Sequence, residues 1–445
     1  MFLGLSFGLI ELVDLNLEMR IIMNFESSLL NKLTVTQTNT YFRDIIEEYD
    51  KKLKEEINSG GNPREIVINK FLNSLDETNP KDEKKLIDID DTIFSFLFFQ
   101  DQDTYYHRRI SGEVSADDII AKLQLNDHCK KAINRKIFDV ENDLGIVTIR
   151  KKSDDVLILF NYGTYVTAKR MKEKQFLVSC RINCSKNIIS IGFKDSAFSK
   201  IKEEHKKAFG IKRNKLIKDI ITKLTNLKLD INIKSFKEEV IESTLYKMFV
   251  SESEKAIDLI RTKVEDADKE NRNIEEFKII AEDFLKTQFL LKNPEGFVEK
   301  ALDLKYQDFA EQMEISNFIN NGGYIFGFSF VEKQVTRSDN KSDKREPIYK
   351  YKLFWNLRDI IDEYLNLSQL SMYWKFNKYD SDKTIGESDD EHLTFVEVDY
   401  KSINDELVLH YFVNSDNQVL STDNADDAKR REDYALQQII RYLPA

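Results

Sequence analysis

The chain has 445 residues, of which 41% are hydrophobic and 33% charged, with 5 prolines and 14 glycines. This length exceeds what one hydrophobic core usually organises, and this composition favours a helix-rich globular protein over a disordered or all-β one. Three cysteines in so long a chain exclude a disulfide-stabilised secreted scaffold and favour a cytoplasmic location. We therefore predict a helix-rich, multidomain α+β protein.

The first segment, residues 1–22, is apolar from Met1 to Ile10 and acidic from Glu11 onward. A secretory signal begins with basic residues, and a membrane span needs about 20 apolar residues. The segment meets neither requirement, so we expect no membrane partner. Two interpretations stay open: a short appendage packed on the protein, or a misassigned start with Met23 as the initiator.

Residues 23–110 are predicted to form a helical N-terminal region. Gly60-Gly61-Asn62-Pro63 and Asn79-Pro80 separate the predicted helices, because these residues favour turns. The helices are expected over Thr40–Ile57, Glu65–Leu75 and Asp88–Phe99.

Residues 111–161 carry a helix, a turn, a helix and a hairpin in order. Ser115 is placed to cap a first helix, and Leu125-Asn126-Asp127 forms a turn before a second helix over about His128 to Glu141. Two predicted strands then flank a charged tip of Lys151, Lys152, Ser153, Asp154 and Asp155.

This order resembles a winged helix-turn-helix, a family in which the second helix enters a DNA groove and the wing contacts backbone. The resemblance covers residues 111–161 only. It implies groove-facing roles for Lys131, Asn134 and Arg135, and phosphate-facing roles for Lys151 and Lys152. The sequence departs from the pattern through the two acids at the tip and the lack of glycine between the helices. Winged modules also dock proteins, so both kinds of partner stay open.

The charge is unevenly distributed. Residues 150–228 hold 20 Lys or Arg and 7 Asp or Glu, a net charge of +13, whereas residues 379–433 hold 16 acids and 5 bases, a net charge of −11. A basic band within an acidic chain is typical of a polyanion site. The alternatives are solvated lysine faces, or pairing of the basic with the acidic region. The band adds two groups of candidate nucleic-acid contacts: Lys169, Arg170 and Lys172, and Lys212, Arg213 and Lys215.

The chain divides into further predicted regions. Residues 111–198 are expected to form the winged-helix-like and basic β module, and residues 199–310 a helical region. Within the latter, apolar residues recur at helical spacing, which predicts a helical hairpin; they are Phe236, Val240, Ile241, Leu245, Met248, Phe277, Ile280, Ala281, Phe284 and Leu285. Residues 311–445 are expected to form an α+β domain with strands in GYIFGFSFV, YKYKLFW, LTFVEVDY and ELVLHYFV, a helix over Ile360–Leu370 and a terminal helix over Ala425–Leu443.

Catalytic motifs are mostly absent. No glycine-rich loop precedes Lys-Ser or Lys-Thr, and Cys180 and Cys184 lack two further zinc ligands. Asp399-Tyr400-Lys401, with Asp389 and Asp390 before it and Gln438 on the terminal helix, resembles metal-dependent nucleases. That resemblance implies two carboxylates holding Mg²⁺ and a lysine that orients the attacking water. A cross-strand charge pair explains the same residues.

The sequence predicts an intracellular, non-enzymatic component that binds nucleic acid of unknown type, within a larger assembly or oligomer. No cofactor is expected under this hypothesis. One alternative is a nuclease that uses Mg²⁺ at Asp399 and Lys401. Another is a protein-interaction subunit whose basic band docks an acidic protein without touching nucleic acid.

Overall fold

The computed structural model describes residues 25, 28–58, 60–76, 78–140, 144–167, 173–206, 212–268, 274–332, 336–380, 382–412 and 425–444. Helices and strands are mixed, which confirms the predicted α+β class. The chain divides into two compact units. Unit 1 comprises residues 1–103, 109–233 and 424–426, and unit 2 comprises residues 104–108, 234–423 and 427–445. The predicted appendage, residues 1–22, lies outside the described residues.

The described residues up to 103 are mainly helical, as predicted, whereas residues 104–110 of the same predicted region belong to a strand. Asn62 and Asn79 each cap a helix by accepting a backbone N–H, and each is followed by a proline at the first helical position. The helices are α1 (Val35–Tyr41), α2 (Arg43–Asn58), α3 (Pro63–Ser74) and α4 (Pro80–Ser95), and α4 continues into a π-helical turn at Phe96–Gln100.

The sheet of unit 1 is an antiparallel meander in the order β2-β3-β4-β5. Strand β3 joins two predicted strands into one, and its register shifts between Asn161 and Thr164. Gly163 lies there with φ of +115°, and a Cβ on it would come 2.3 Å from His205. The strands are β2 (Gly145–Lys152), β3 (Asp155–Val166), β4 (Glu173–Asn183) and β5 (Ile188–Phe193).

Shorter helices complete unit 1. They are α5 (Ala116–Gln124), α6 (Asp127–Ala132), α7 (Asp195–Phe198), α8 (Glu203–Lys206) and α9 (Arg213–Asn226). Strand β1 (Thr104–Ser111) and strand β6 (Asn232–Lys234) each have residues in both units. In α9, Leu216, Ile217, Ile220 and Leu224 are buried, so its opposite side carries polar residues.

The sheet of unit 2 is also antiparallel. Residues 104–107 of β1 pair with β11, and the order then runs β11-β10-β9-β7-β8. The strands are β7 (Gly323–Glu332), β8 (Thr336–Lys341), β9 (Gln369–Asn377), β10 (Leu393–Ile403) and β11 (Glu406–Tyr411).

The helices of unit 2 are α10 (Glu238–Asp268), α11 (Ile274–Gln288), α12 (Glu295–Gln312), α13 (Ile315–Asn320), α14 (Lys352–Tyr364) and α15 (Ala425–Ile440). Tyr400 Oη donates a hydrogen bond of 2.9 Å to the Ala435 carbonyl of α15, which places α15 on the sheet face that carries Tyr400. Side chains alternate between faces along a strand, so Asp399 and Lys401 point to the opposite face. We call it the polar face of unit 2.

Two predicted elements of unit 2 are wrong, and one of its strands was not predicted. The predicted strand YKYKLFW is a 3₁₀ turn at Ile348–Lys350 followed by the start of α14. Consecutive residues Phe354 and Trp355 are both buried, and Trp355 Nε1 donates 2.8 Å to the Tyr349 carbonyl, so the segment coils rather than alternating. The helix predicted through Leu370 ends at Tyr364, and β9 was not predicted.

Candidate nucleic-acid interface

The first helix of the winged-helix-like segment forms as predicted. Ser115 Oγ accepts the Asp117 N–H at 3.2 Å and caps α5, and Asn126 Oδ1 accepts the His128 N–H at 3.1 Å and caps α6. The turn between the helices is therefore held by side-chain capping rather than by glycine.

The second helix is much shorter than predicted: α6 ends at Ala132 instead of continuing to Glu141. Asn134 has φ of +54°, and its N–H donates 2.8 Å to the Ile149 carbonyl of β2. The chain thus leaves the helix to pair with the hairpin. Lys131 and Asn134 are exposed, and Arg135 Nη2 donates 2.9 Å to the Asp139 carbonyl. The winged-helix resemblance itself stays a prediction.

The cations at the hairpin tip contact acids and hydroxyls of the same unit. Lys151 Nζ lies 2.5 Å from Asp117 Oδ1 on α5. Lys152 Nζ lies 3.3 Å from Ser95 Oγ and 4.0 Å from Asp91 Oδ2 on α4. A phosphate at the tip would have to compete with these contacts, which weakens the predicted backbone role of both lysines.

Arg150 is one of the cations of the basic band that support the fold. Its Nη2 lies 2.5 Å from Asp90 Oδ2, its Nη1 pairs with Asp91, and its guanidinium lies 4.1 Å from the ring centroid of Phe94. Burial raises the pKa of Asp90, and the charge and hydrogen bonds of Arg150 oppose that rise.

Arg181 makes a similar buried pair within the sheet. Its Nε and Nη2 lie 2.9 and 2.7 Å from Asp155 Oδ2, across the β3–β4 pairing. Arg181 and Arg150 are both buried, so neither arginine is available to contact a polyanion. The net charge of the band therefore overstates its accessible positive charge.

Two further cations of unit 1, Lys32 and Lys194, lie beside the carboxylate of Asp101. Lys32 pairs with the Asp101 carboxylate, and Lys194 Nζ lies 3.8 Å from it. Burial, together with the nearby charge of Lys32, lowers the pKa of Lys174 to about 8. The candidates Lys169, Arg170 and Lys172 of the same stretch lie outside the described residues.

Helix α9 presents the clearest accessible cations. Lys212 is its N-cap residue, Lys215 and Lys218 follow at intervals of three, and all three side chains are exposed. Within the described ranges, no carboxylate forms an ion pair with any of them. The candidate Arg213 differs, because its Nε and Nη2 lie 2.5 and 2.9 Å from the Asp195 carboxylate.

The position of these lysines is unfavourable for the helix itself. The first turn of a helix carries a partial positive charge, and acids there stabilise it while cations destabilise it by roughly 0.3–1 kcal/mol each. The first turn of α9 contains no acid. Helix stability therefore does not account for Lys212 and Lys215, whereas an anion at this end would be favoured by both the lysines and the backbone N–H groups.

On the polar face of unit 2, Asp399 is the centre of a polar cluster. Asp399 is only 2% exposed. Ser371 Oγ donates 2.5 Å to Oδ1, and Lys341 Nζ and Lys401 Nζ lie 3.2 and 3.3 Å from Oδ2. Asp399, Ser371, Gly327 and Lys341 follow one another in register across β10, β9, β7 and β8.

Gly327 allows Lys341 to reach Asp399. A Cβ at this position would lie 3.0 Å from Lys341 Cγ and 3.1 Å from Ser371 Oγ, closer than these neighbours tolerate without moving. Burial lowers the pKa of Lys341, and the Asp399 carboxylate opposes that shift.

The other residues of the nuclease-like pattern lie elsewhere in unit 2. Asp389 and Asp390 are exposed at a 3₁₀ turn before β10, and Asp389 Oδ2 lies 3.7 Å from His392 Nδ1. Six strand residues separate the start of β10 from Asp399, which is roughly 20 Å. Gln438 is buried on α15 and accepts a hydrogen bond of 3.1 Å from Arg441, on the other side of the sheet. The fold brings together Asp399 and Lys401 only.

Sequence reasoning missed Lys341, Ser371 and Gly327. Lys341 was assigned to a polar loop over Ser338–Glu346 rather than to β8, and Ser371 was assigned to no element, so no pattern linked them to Asp399. The alternation of apolar and polar residues in QLSMYWKFN, which is β9, was the available signal.

The described residues were also searched for a metal site and for a helix that could span a membrane. Cys180 and Cys184 are free and buried, and burial raises the pKa of the Cys180 thiol to about 12, as expected for a packed side chain. Over the described ranges, His, Cys, Asp and Glu do not gather in threes as a metal site would require. In the same ranges, every helix is too short or too polar to cross a bilayer. Comparison of the chain with models of protein families and with curated proteins finds no match.

Proposed function

We propose that the protein binds the phosphodiester backbone of a nucleic acid through exposed lysines of unit 1, chiefly Lys212, Lys215 and Lys218. The observation that carries this proposal is their position at the N-terminal end of α9 without acidic partners among the described residues. A polyanion would supply the missing negative charge, and each neutralised phosphate would release condensed counterions.

The spacing of these lysines suits a chain of phosphates. Residues three apart on a helix are separated by about 4.5 Å along its axis, so Lys212 and Lys218 span about 9 Å. One strand of a duplex carries a phosphate about every 3.4 Å of axis, and the three lysines can therefore reach two or three successive phosphates. Such contacts position a protein on nucleic acid without reading its sequence.

The test is a charge reversal with a matched control. Lys212→Glu, Lys215→Glu and Lys218→Glu should weaken binding to duplex DNA, single-stranded DNA and RNA by about 100-fold or more at low salt. The control reverses Lys81, Lys84 and Lys85, which are exposed near the start of α4 beside Asp82 and Glu83. Both variants change the net charge equally and lie in the same unit.

The two variants separate local contact from general electrostatics. A loss confined to the α9 variant supports the proposal. An equal loss in both variants would contradict it, because only the net charge would then matter. Retention on heparin by a protein that binds no nucleic acid would instead favour the alternative, in which the basic band docks an acidic protein.

A further inference from the structure

Lys174 is a half-buried lysine of β4, and its Nζ forms no hydrogen bond or ion pair within the described residues. The adjacent Glu173 points to the opposite side of the strand, where its carboxylate lies 2.5 Å from Lys202 Nζ. Residues 168–172, which come just before, contain three cations and no acid. A charged group that loses hydration on burial normally gains a counter-charge, so the surroundings of Lys174 are short of a negative group.

Tyr165 is the common neighbour of Lys174 and a second lysine. Tyr165 lies opposite Lys174 in the β3–β4 register, so their side chains project from the same face of the sheet. Lys32 Nζ lies 5.7 Å from the centroid of the Tyr165 ring, and it donates 3.1 Å to the carbonyl of Gln175, the residue after Lys174. Lys32 and Lys174 therefore lie beside the same ring.

A third lysine and one carboxylate complete the group. Lys32 pairs with the Asp101 carboxylate, and Lys194 Nζ lies 3.8 Å from Asp101 Oδ1. Burial and nearby cations, with Lys32 first among them, lower the pKa of Lys174 to about 8, and Asp101 opposes this shift. Arg64 and Lys194 are the other cations that act on it. We call Lys32, Lys174 and Lys194 the lysine cluster; its three cations and the one carboxylate leave a net charge of +2.

The lysine cluster is recessed but accessible. The side chains of Lys32 and Asp101 are only 3% and 9% exposed, whereas that of Lys194 is 27% exposed and Lys174 is half-buried. A charged group at the end of a molecule can enter such a recess. A group in the middle of a polymer, with bulk on both sides, cannot.

A phosphate monoester matches both the charge and the access. It carries a charge of about −1.5 to −2 at neutral pH and three acceptor oxygens, one for each lysine, whereas a carboxylate or an internal phosphodiester carries a single negative charge. From the unpaired Lys174, the net charge and the access, we infer that the lysine cluster binds a terminal phosphate group. This site is distinct from the backbone contacts of α9 and does not depend on them, because it uses other residues and another form of phosphate.

The first test titrates the full-length protein with methyl phosphate in a calorimeter. Lys174→Met should bind it about tenfold more weakly than the wild type, because one charge-assisted hydrogen bond is lost. Lys200→Met, at an exposed lysine of unit 1, removes the same charge and should leave the affinity unchanged. Dimethyl phosphate, a diester with less negative charge, should bind the wild type about tenfold more weakly than methyl phosphate. Methionine retains most of the lysine stem, and thermal unfolding checks that the variant is folded.

The pH dependence of the same titration isolates the charge of Lys174. Methyl phosphate stays a dianion above about pH 8, whereas Lys174 loses its proton there. The affinity of the wild type should therefore fall several-fold from about pH 8 to about pH 9.5, and that of Lys174→Met should change little. The other charged groups that face Lys174 are common to both proteins, so the difference between the two curves reports Lys174; they are Lys32, Arg64, Lys194 and Asp101.

Two sources share this chemistry, a phosphorylated small molecule and the phosphorylated end of a nucleic-acid strand. Single-stranded oligonucleotides with and without a 5′-phosphate distinguish them. They are best compared in the variant with Lys212→Glu, Lys215→Glu and Lys218→Glu, which weakens backbone contacts. A preference for the phosphorylated strand that Lys174→Met abolishes identifies a strand end. Equal affinity for both strands, with methyl phosphate binding that depends on Lys174, identifies a small molecule, and either result supports the inference.

Two results overturn the inference. One is a wild-type protein that binds no methyl phosphate, or binds methyl and dimethyl phosphate equally. The other is a folded Lys174→Met protein that binds methyl phosphate as tightly as Lys200→Met does. Neither result bears on α9, because the titrations contain no nucleic acid.

Discussion

Ser371 Oγ donates a hydrogen bond of 2.5 Å to Asp399 Oδ1 from the neighbouring strand of the unit 2 sheet. Lys341 and Lys401 occupy the other carboxylate oxygen. The nearly buried carboxylate accepts from three donors and so stabilises the sheet, because its removal would leave two ammonium groups without this partner. The acid-x-Lys pattern in the sequence is thus accounted for by the stability of the sheet.

Asp399→Ala should lower the free energy of unfolding of unit 2 by about 2 kcal/mol, because Ser371, Lys341 and Lys401 lose a shared acceptor. Chemical denaturation followed by circular dichroism measures this change. Asp389→Ala is the control, since Asp389 is exposed at a turn and its loss should have no measurable effect. Equal behaviour of the two variants would show that the cluster does not stabilise the sheet.

Asp399→Ala with Lys401→Ala should leave any nucleic-acid cleavage unchanged, because the fold places neither Asp389, Asp390 nor Gln438 beside this pair. The assay compares the wild type and the double variant on labelled DNA and RNA with Mg²⁺ or Mn²⁺. Cleavage by the wild type that disappears in a folded double variant would restore the nuclease hypothesis.

Arg150→Ala should destabilise unit 1 by about 3 kcal/mol, because it leaves the buried Asp90 carboxylate without its cation. Thermal and urea unfolding measure the loss. Lys131→Ala, at an exposed side chain in the last turn of α6, should leave stability unchanged. The comparison separates cations that hold the fold from cations available to a partner; a stable Arg150→Ala protein would contradict it.

Lys174 should make stability depend on pH between about 8 and 10.5. Burial lowers its pKa to about 8 from the usual 10.5, so the folded state carries the cost of the charged form below pH 8. That cost decreases as the pH rises from 8 and is gone above 10.5, where both states are neutral. Lys174→Met should therefore raise the melting temperature most at pH 7, and the gain should shrink toward pH 10. A gain from Lys174→Met that stays constant from pH 7 to pH 10 would contradict the shift.

The sequence predicted the elements whose signals are local. Helices were predicted after Asn62-Pro63 and Asn79-Pro80, but with starts at Glu65 and Asp88. The side-chain caps and the fixed φ of the prolines start these helices earlier, at Pro63 and Pro80. The strands from Gly145 to Phe193 were visible as apolar runs bounded by turns. Helix α6 was misjudged because Ile137 and Val140 continue its periodicity, while a long-range bond from Asn134 to Ile149 ends the helix.

The candidate sites depended on tertiary contacts that a sequence does not show. Whether Lys151 is available to phosphate depends on Asp117, thirty-four residues away and 2.5 Å distant in the fold. The same holds for Lys341 and Asp399, which a glycine on the intervening strand brings together. Net charge singled out a stretch of chain as a candidate, and side-chain partners distinguish the buried, paired Arg150 from the exposed Lys215 within it.

The central claim is tested most directly by measuring the affinity of the full-length protein for duplex DNA, single-stranded DNA and RNA over a range of salt concentrations. We expect affinity to fall with salt at a log–log slope of about −0.9 per duplex phosphate contact. The triple variant Lys212→Glu, Lys215→Glu and Lys218→Glu should make that slope less steep, by the amount that corresponds to the loss of about two to three phosphate contacts. Absence of salt-sensitive binding to any of the three nucleic acids near physiological salt would contradict the account.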